Sequence, residues 1–271
     1  MLHLAIECSA LAGSVAILRQ DTVLAERSLP PAIGSVQTLA PTIVELLSLY
    51  GSNQLPAVEL ISVTHGPGSF TGLRGGLALA KMLGLAWGIP IVAVDTLRVV
   101  AAQAVLEITN QGLVASGSAA DVVAVLNAFR RQVFAAAWRM PASSAAEPGI
   151  DLVLLAQPQV LAAELWQAQP LAALEPACSS SARGLVDASH VSPPLYISGA
   201  GLRSYTPQLR SDANLIDASH WDPLAACVGR LGWHSYLAGG AVSAAQLAPN
   251  YVRSSAAEEV RTAQHTQPLA P

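Results

Sequence analysis

The stretch Thr64-His-Gly-Pro-Gly-Ser-Phe-Thr-Gly-Leu-Arg-Gly-Gly76 lies between a short apolar run, Glu59 to Val63, and a long apolar stretch, Leu77 to Trp87. An apolar run of strand length, a glycine-rich turn and an apolar segment of helical length together read as a strand–turn–helix unit. A turn of this kind suits an anion, because the first N–H groups of a helix have no acceptor inside it. The phosphate signatures are missing, however. Lys81, the one lysine of the chain, lies inside the helical stretch, so there is no G-x-x-x-x-G-K-[ST]. Gly66, Gly68 and Gly72 miss the G-x-G-x-x-G spacing by one residue. Pro67 removes a further donor. A structural turn is the plainer reading.

Upstream, Leu2 to Cys8, Ser14 to Arg19 and Val23 to Arg27 are short β-prone runs punctuated by Gly13 and by Gln20-Asp21, and they predict three consecutive antiparallel strands. A helix is expected over Ser35 to Tyr50, capped by Ser35 and ended by Gly51, because Val36, Leu39, Ile43, Leu46 and Tyr50 recur at three- and four-residue steps. A strand at Leu60 to Thr64, the glycine loop, its helix, a strand at Ile91 to Val94 and a helix from Thr96 to about Ile108 complete a βββαβαβα order. The Gly/Ser/Ala stretch from Asn110 to Ala120 reads as a join. Beyond it, Val123-Ala-Val-Leu-Asn127 followed by Gln132-Val-Phe-Ala resembles Leu4-Ala-Ile-Glu7 followed by Ser14-Val-Ala-Ile. The expected architecture is therefore α/β with two similar halves, 1–109 and 110–253, and a tail at 254–271 expected to be mobile. In the second half, 142–149 and 176–194 read as loops. Leu195 to Ser198 reads as a strand running into the Gly199-Ala-Gly201 turn and a helix. Asp222-Pro223 reads as the start of a last helix that carries Leu224, Val228, Leu231 and Leu237 to Gly239-Gly240.

Composition narrows the function. Charged residues make up 12% of the chain and hydrophobic ones 52%, against roughly 25% and 45–50% in an ordinary domain. The surface is thus poor in charge, as in proteins that hide apolar surface in a partner. A single lysine and a net charge of -4 leave no basic stripe for nucleic acid. The only adjacent basic pair, Arg130-Arg131, reads as a solvated turn. Cys8, Cys178 and Cys227 are far apart and form neither a disulfide framework nor a zinc motif. No leader pattern or membrane span is visible, and a cytoplasmic location is expected.

The helix after the turn is the most informative element. Gly72, Gly76, Ala80, Gly84 and Gly88 recur every four residues as a stripe of small side chains, while Leu73, Leu77, Leu79, Met82, Leu83, Leu85 and Trp87 cover most of the remaining circumference. Only Arg74 and Lys81 give a polar edge. A helix apolar nearly all round is buried on more than one side. One side can pack on the sheet, and the small-residue side suits close approach of another helix, supplied either by this chain or by a partner.

The run Gly66-Pro-Gly-Ser-Phe-Thr-Gly-Leu-Arg74-x-Gly76, with Lys81 in the following helix and then Gly88-Ile-Pro90, resembles the hallmark of the TsaB (YeaZ) family. Weaker echoes are Glu7 and Ser9 at the end of the first strand, Ser198-Gly-Ala-Gly201 and Pro249-Asn-Tyr-Val-Arg253. The resemblance implies the actin/Hsp70 (ASKHA, ribonuclease H-like) fold. It also implies a non-catalytic dimerisation subunit that activates the catalytic subunit TsaD, alongside the ATPase TsaE, in making N6-threonylcarbamoyladenosine in tRNA. On that reading the interface is carried by Val36, Leu39, Ile43, Leu46, Leu73, Gly76, Leu77, Ala80, Leu83 and Gly84, and the motif loop by Gly66, Pro67, Gly68, Ser69, Phe70, Thr71, Gly72 and Arg74. ATP and a metal ion belong to the partner subunits, tRNA is met only through the complex, and an isolated chain can pair with itself through the same face.

Nucleotide-binding members of this superfamily hold magnesium with an acidic residue at the end of the first strand. Here Glu7-Cys8-Ser9 replaces the family's usual Asp-Thr-Ser, and Asn127-Ala-Phe129 replaces Asp-Ala-Arg in the second half, so Glu7 and Ser9 form at most a degenerate nucleotide site. An independent ATPase or small-molecule kinase is the alternative. None of the six histidines forms the H-x-x-x-H pair expected of TsaD, and no peptidase motif is present. Ser69 and Thr71 read as helix caps.

Overall fold

The computed structural model describes residues 1–30, 35–50, 58–142, 147–168, 174, 193–208 and 213–252; the side chains of Ser35 and Val36 are also outside this description. The predicted Gly51 stop, the tail at 254–271 and most of the 176–194 loop fall outside the described residues.

Strands β1 (Leu2–Glu7), β2 (Ser14–Arg19) and β3 (Thr22–Ser28) form an antiparallel meander, followed by α1 (Ser35–Tyr50), β4 (Leu60–Gly66), α2 (Phe70–Trp87), β5 (Ile91–Asp95) and α3 (Thr96–Asn110). This is the expected βββαβαβα order. β4 pairs in parallel with both β1 and β5, which gives the sheet order β3-β2-β1-β4-β5. The second half repeats it. β6 (Ala120–Phe129), β7 (Gln132–Met140) and β8 (Val153–Ala162) form an antiparallel meander. α4 (Ala163–Ala168) follows, and β9 (Leu195–Ser198) and β10 (Ala213–Leu215) then add in parallel on the other side of β6. The order β8-β7-β6-β9-β10 matches the first sheet strand for strand, so the duplication suggested by the Leu4 and Val123 segments is carried by the topology.

Two differences from the sequence reading are physical. β8 was not anticipated, because Gln157, Pro158 and Gln159 interrupt its apolar run. β8 is an edge strand, where a residue without an N–H is tolerated. The last helix, α5 (Ala225–Leu237), starts three residues after Asp222, which does not cap it. Asp222 instead pairs with Arg203 at 2.7 and 2.9 Å. The first donors of α5 are met from elsewhere in the chain: Leu224 N–H donates to Gln103 Oε1, Ala225 N–H to Ser14 Oγ and Ala226 N–H to Glu26 Oε1, at 2.8, 2.8 and 3.0 Å. α5 accordingly packs on the first sheet, with Ala225, Cys227, Val228 and Leu231 buried against Ala5, Leu18, Leu60 and Val92. Of its other expected core residues, Leu224 and Leu237 are exposed, and Leu224 precedes the helix.

α3 spans the two halves. Leu97, Val100, Ala104 and Ile108 pack on β6 and β7, while Val99 and Ala102 face the α5 core. Asp95 caps it by accepting from Arg98 N–H at 2.9 Å. Among the described residues no helix is long and apolar enough to cross a membrane.

Candidate functional site

The glycine motif sits where β1 and β4 end side by side. β4 runs to Gly66, Pro67 to Ser69 make the turn, and α2 begins at Phe70, so Phe70, Thr71, Gly72 and Arg74 are helical and not part of a loop. Ser69 is the cap, accepting from Gly72 N–H at 3.4 Å, and Thr71 lies in the first turn. Gly66 adopts φ +123° under the Asn250 carbonyl, a position that only glycine fills without strain. Gly68 lies against the Ser9 carbonyl, and that carbonyl accepts from Ser69 N–H at 2.7 Å. A phosphate cradle needs these donors, yet Ser69 and Gly72 spend theirs inside the chain and Pro67 has none.

Glu7, Cys8 and Ser9 lie directly beneath. Glu7 is fully buried. Its Oε1 accepts from Ser9 N–H at 2.6 Å and from the Ser9 hydroxyl, while Oε2 has no partner. Burial pushes its carboxyl up to about 7, against the pull of the Ser9 hydrogen bonds. Burial and the neighbouring Glu7 also push the Cys8 thiol up, so it is an inert core residue. Cys8 N–H donates to Thr64 Oγ1 at 3.3 Å, which closes the ends of β1 and β4 together. In the second half, Asn127 accepts from Phe129 N–H and donates to the distant Ser204 Oγ. Ser198 Oγ is buried without a partner, and Gly199 lies tight under the Val125 carbonyl. The Gly199-Ala-Gly201 segment leads into only one short 3-10 turn, Ala200–Arg203. Arg131 of the basic pair makes an exposed ion pair with Glu164.

The structure reverses the expected use of the α2 faces. The small-residue stripe meets the chain's own sheet: a Cβ on Gly72 would run into the Cys8 carbonyl, and one on Gly84 would lie 2.6 Å from Ile91 Cδ1. Of the residues assigned to an interface, Leu39, Ile43, Leu46, Leu73, Gly76, Leu77, Ala80 and Gly84 are buried within the chain, and Leu83 is half-buried against the same core. Val36 lies in α1, with its side chain outside the description. The physical reason is distance: small residues let the helix backbone come down onto the sheet.

The opposite face is left to solvent. Phe70, Arg74, Ala78, Met82 and Leu85 follow one another at three- and four-residue steps and are all exposed; Leu85 is 72% and Met82 63% accessible. Val44, Leu49 and Tyr50 are exposed on α1, which packs beside α2. At the upper end of the stripe the Arg74 guanidinium lies 3.8 Å over the Phe70 ring and donates to Tyr251 Oη at 3.2 Å. Tyr251 belongs to a C-terminal strap that buries Ala244 and Leu247 in the first core and donates from Asn250 N–H to the His65 carbonyl.

A family model, TsaD: tRNA N6-adenosine threonylcarbamoyltransferase, matches residues 33–168, half of the chain. The tRNA threonylcarbamoyladenosine biosynthesis protein TsaB of Escherichia coli K12 is 31% identical over 131 residues, 48% of this chain and 52% of that relative. The chain belongs to this TsaD-type family, on its TsaB (YeaZ) branch.

TsaB of Bacillus subtilis 168 is 38% identical over 103 residues, 38% of this chain and 44% of the relative. The chain thus spans about half the length of the curated relatives it matches. YeaZ from Pseudomonas aeruginosa superposes with a TM-score of 0.69 over 92% of this chain and 99% of that one, at 24% identity, which shows the shared two-half fold. On this TsaB-family chain, sequence reasoning missed the exposed face. The one available signal was the four-residue recurrence of Phe70, Arg74, Ala78 and Met82, parallel to the glycine stripe and equally regular.

Proposed function

We propose that this chain is a non-catalytic subunit in tRNA N6-threonylcarbamoyladenosine synthesis, which docks on a TsaD-type catalytic subunit through the exposed faces of α1 and α2. The observation that carries the reading is the apolar stripe Phe70, Ala78, Met82 and Leu85 beside Val44 and Leu49, on two helices whose other faces are already buried. Side chains of this size left together in water are a partner surface. The assignment of the pathway rests on the similarity to the TsaB proteins of Escherichia coli and Bacillus subtilis.

Two features support an accessory role over catalysis by this chain. The acidic residue that would hold magnesium is fully buried, and burial raises its carboxyl to about 7 and so disfavours the charged form a cation needs, while the Ser69 and Gly72 N–H groups of the turn are used internally. ATP and metal are then supplied by the partner subunits, and tRNA is met through the complex. The partner's productive conformation is favoured if it binds this face more tightly than the unproductive one does. Sedimentation of the chain with the cognate TsaD-type subunit tests the docking. A complex is expected with the natural chain and is lost with Leu85→Arg; an unchanged complex with Leu85→Arg and with Met82→Arg contradicts the assigned face.

A further inference from the structure

We infer a divalent-cation site formed by Asp21, Glu147 and His234. The three come from separate segments: Asp21 from the β2–β3 turn, Glu147 from the connection between β7 and β8, and His234 from the last turn of α5. One ligand atom of each lies within 4.8 Å of the others.

The decisive feature is the imidazole. Glu147 Oε2, on a half-exposed side chain, stands 3.2 Å from His234 Nε2, within ion-pair range, yet this solvent-sealed nitrogen makes no hydrogen bond. A sealed nitrogen without a hydrogen bond is costly. A carboxylate oxygen near the nitrogen but off its axis is what a shared ion imposes: nitrogen and oxygen ligands at about 2.0–2.1 Å from a tetrahedral ion lie roughly 3.3 Å apart. Glu147 is held in place by its own N–H, which donates to Asp151 Oδ2 at 3.1 Å. One imidazole and two carboxylates suit a borderline transition ion such as Zn²⁺, Mn²⁺ or Co²⁺; Mg²⁺ and Ca²⁺ favour all-oxygen sets. An ion here ties the first sheet's hairpin and the helix packed on it to the second half.

The test uses the full chain without a histidine tag, titrated with Co²⁺ by absorption and with Zn²⁺ by calorimetry and thermal melting. One ion per chain is expected, with ligand-field bands and no thiolate charge transfer, and Zn²⁺ but not Mg²⁺ raises the Tm. His234→Ala and Asp21→Asn, each folded by circular dichroism, are expected to weaken binding at least tenfold. His220→Ala, on the separate Glu107 pair, leaves it unchanged. No saturable binding, a thiolate band, or affinity untouched by both ligand substitutions overturns the site.

Discussion

Gly76 lies directly over Cys8: a Cβ on the glycine would sit 3.0 Å from the cysteine Cβ and 3.2 Å from its sulfur. One turn earlier, Gly72 leaves no room at all above the Cys8 carbonyl. An alanine in a helix is worth ~1 kcal/mol over glycine, but here the helix must lift off the sheet to admit it. Gly72→Ala is therefore expected to destabilise the fold by about 1–3 kcal/mol, measured as a lower urea midpoint at unchanged m-value.

On the other face the same kind of change is harmless to folding. Met82→Arg and Leu85→Arg point into solvent and are expected to leave stability within about 0.5 kcal/mol. The loss falls on partner binding. A large drop in Tm for either would mean that the face is covered by this chain.

Glu7 and His3 predict opposite responses to acid. Glu7 is raised to about 7 by burial, so the folded state holds its proton more tightly than the unfolded chain. Its contribution is full below pH 4.5 and is lost as pH rises to 7, at a cost of about 3 kcal/mol. Glu7→Gln is expected to be more stable than the natural chain at pH 8 and equal to it at pH 4, as read from urea curves.

His3 is buried and bonded to Ser62 Oγ at 2.7 Å, and burial lowers it to about 4. Its neutral form belongs to the fold. The stability it contributes is full above pH 6.5 and is lost as pH falls towards 4. In Glu7→Gln this loss is no longer offset, so the variant's stability should fall on acidification from pH 6.5 to 4; a flat profile would contradict the His3 assignment.

The start of α5 gives a fifth prediction. Ser14→Ala removes the acceptor of Ala225 N–H inside the core. A buried donor left without a partner costs about 1–3 kcal/mol, and amide exchange at Ala225 should accelerate in step.

Much of this fold is legible because its strands alternate and are punctuated: Gly13, Gln20-Asp21 and the Gly66 turn place β1 to β4 to within about two residues. Which way α2 faces is not legible, since a helix apolar all round has no preferred side and only the fit of Gly72 and Gly76 on Cys8 decides it. The N-terminus of α5 escaped because its acceptors, Ser14, Glu26 and Gln103, lie far back in the chain. Asp21, Glu147 and His234 carry no spacing signature for the same reason.

The most direct test is threonylcarbamoyl transfer to unmodified tRNA by the cognate TsaD, TsaE and adenylate-forming enzyme, with and without this chain. Product that depends on the chain, and fails with Leu85→Arg, is the predicted result. Equal product in its absence would contradict the accessory role and return attention to nucleotide binding at Glu7.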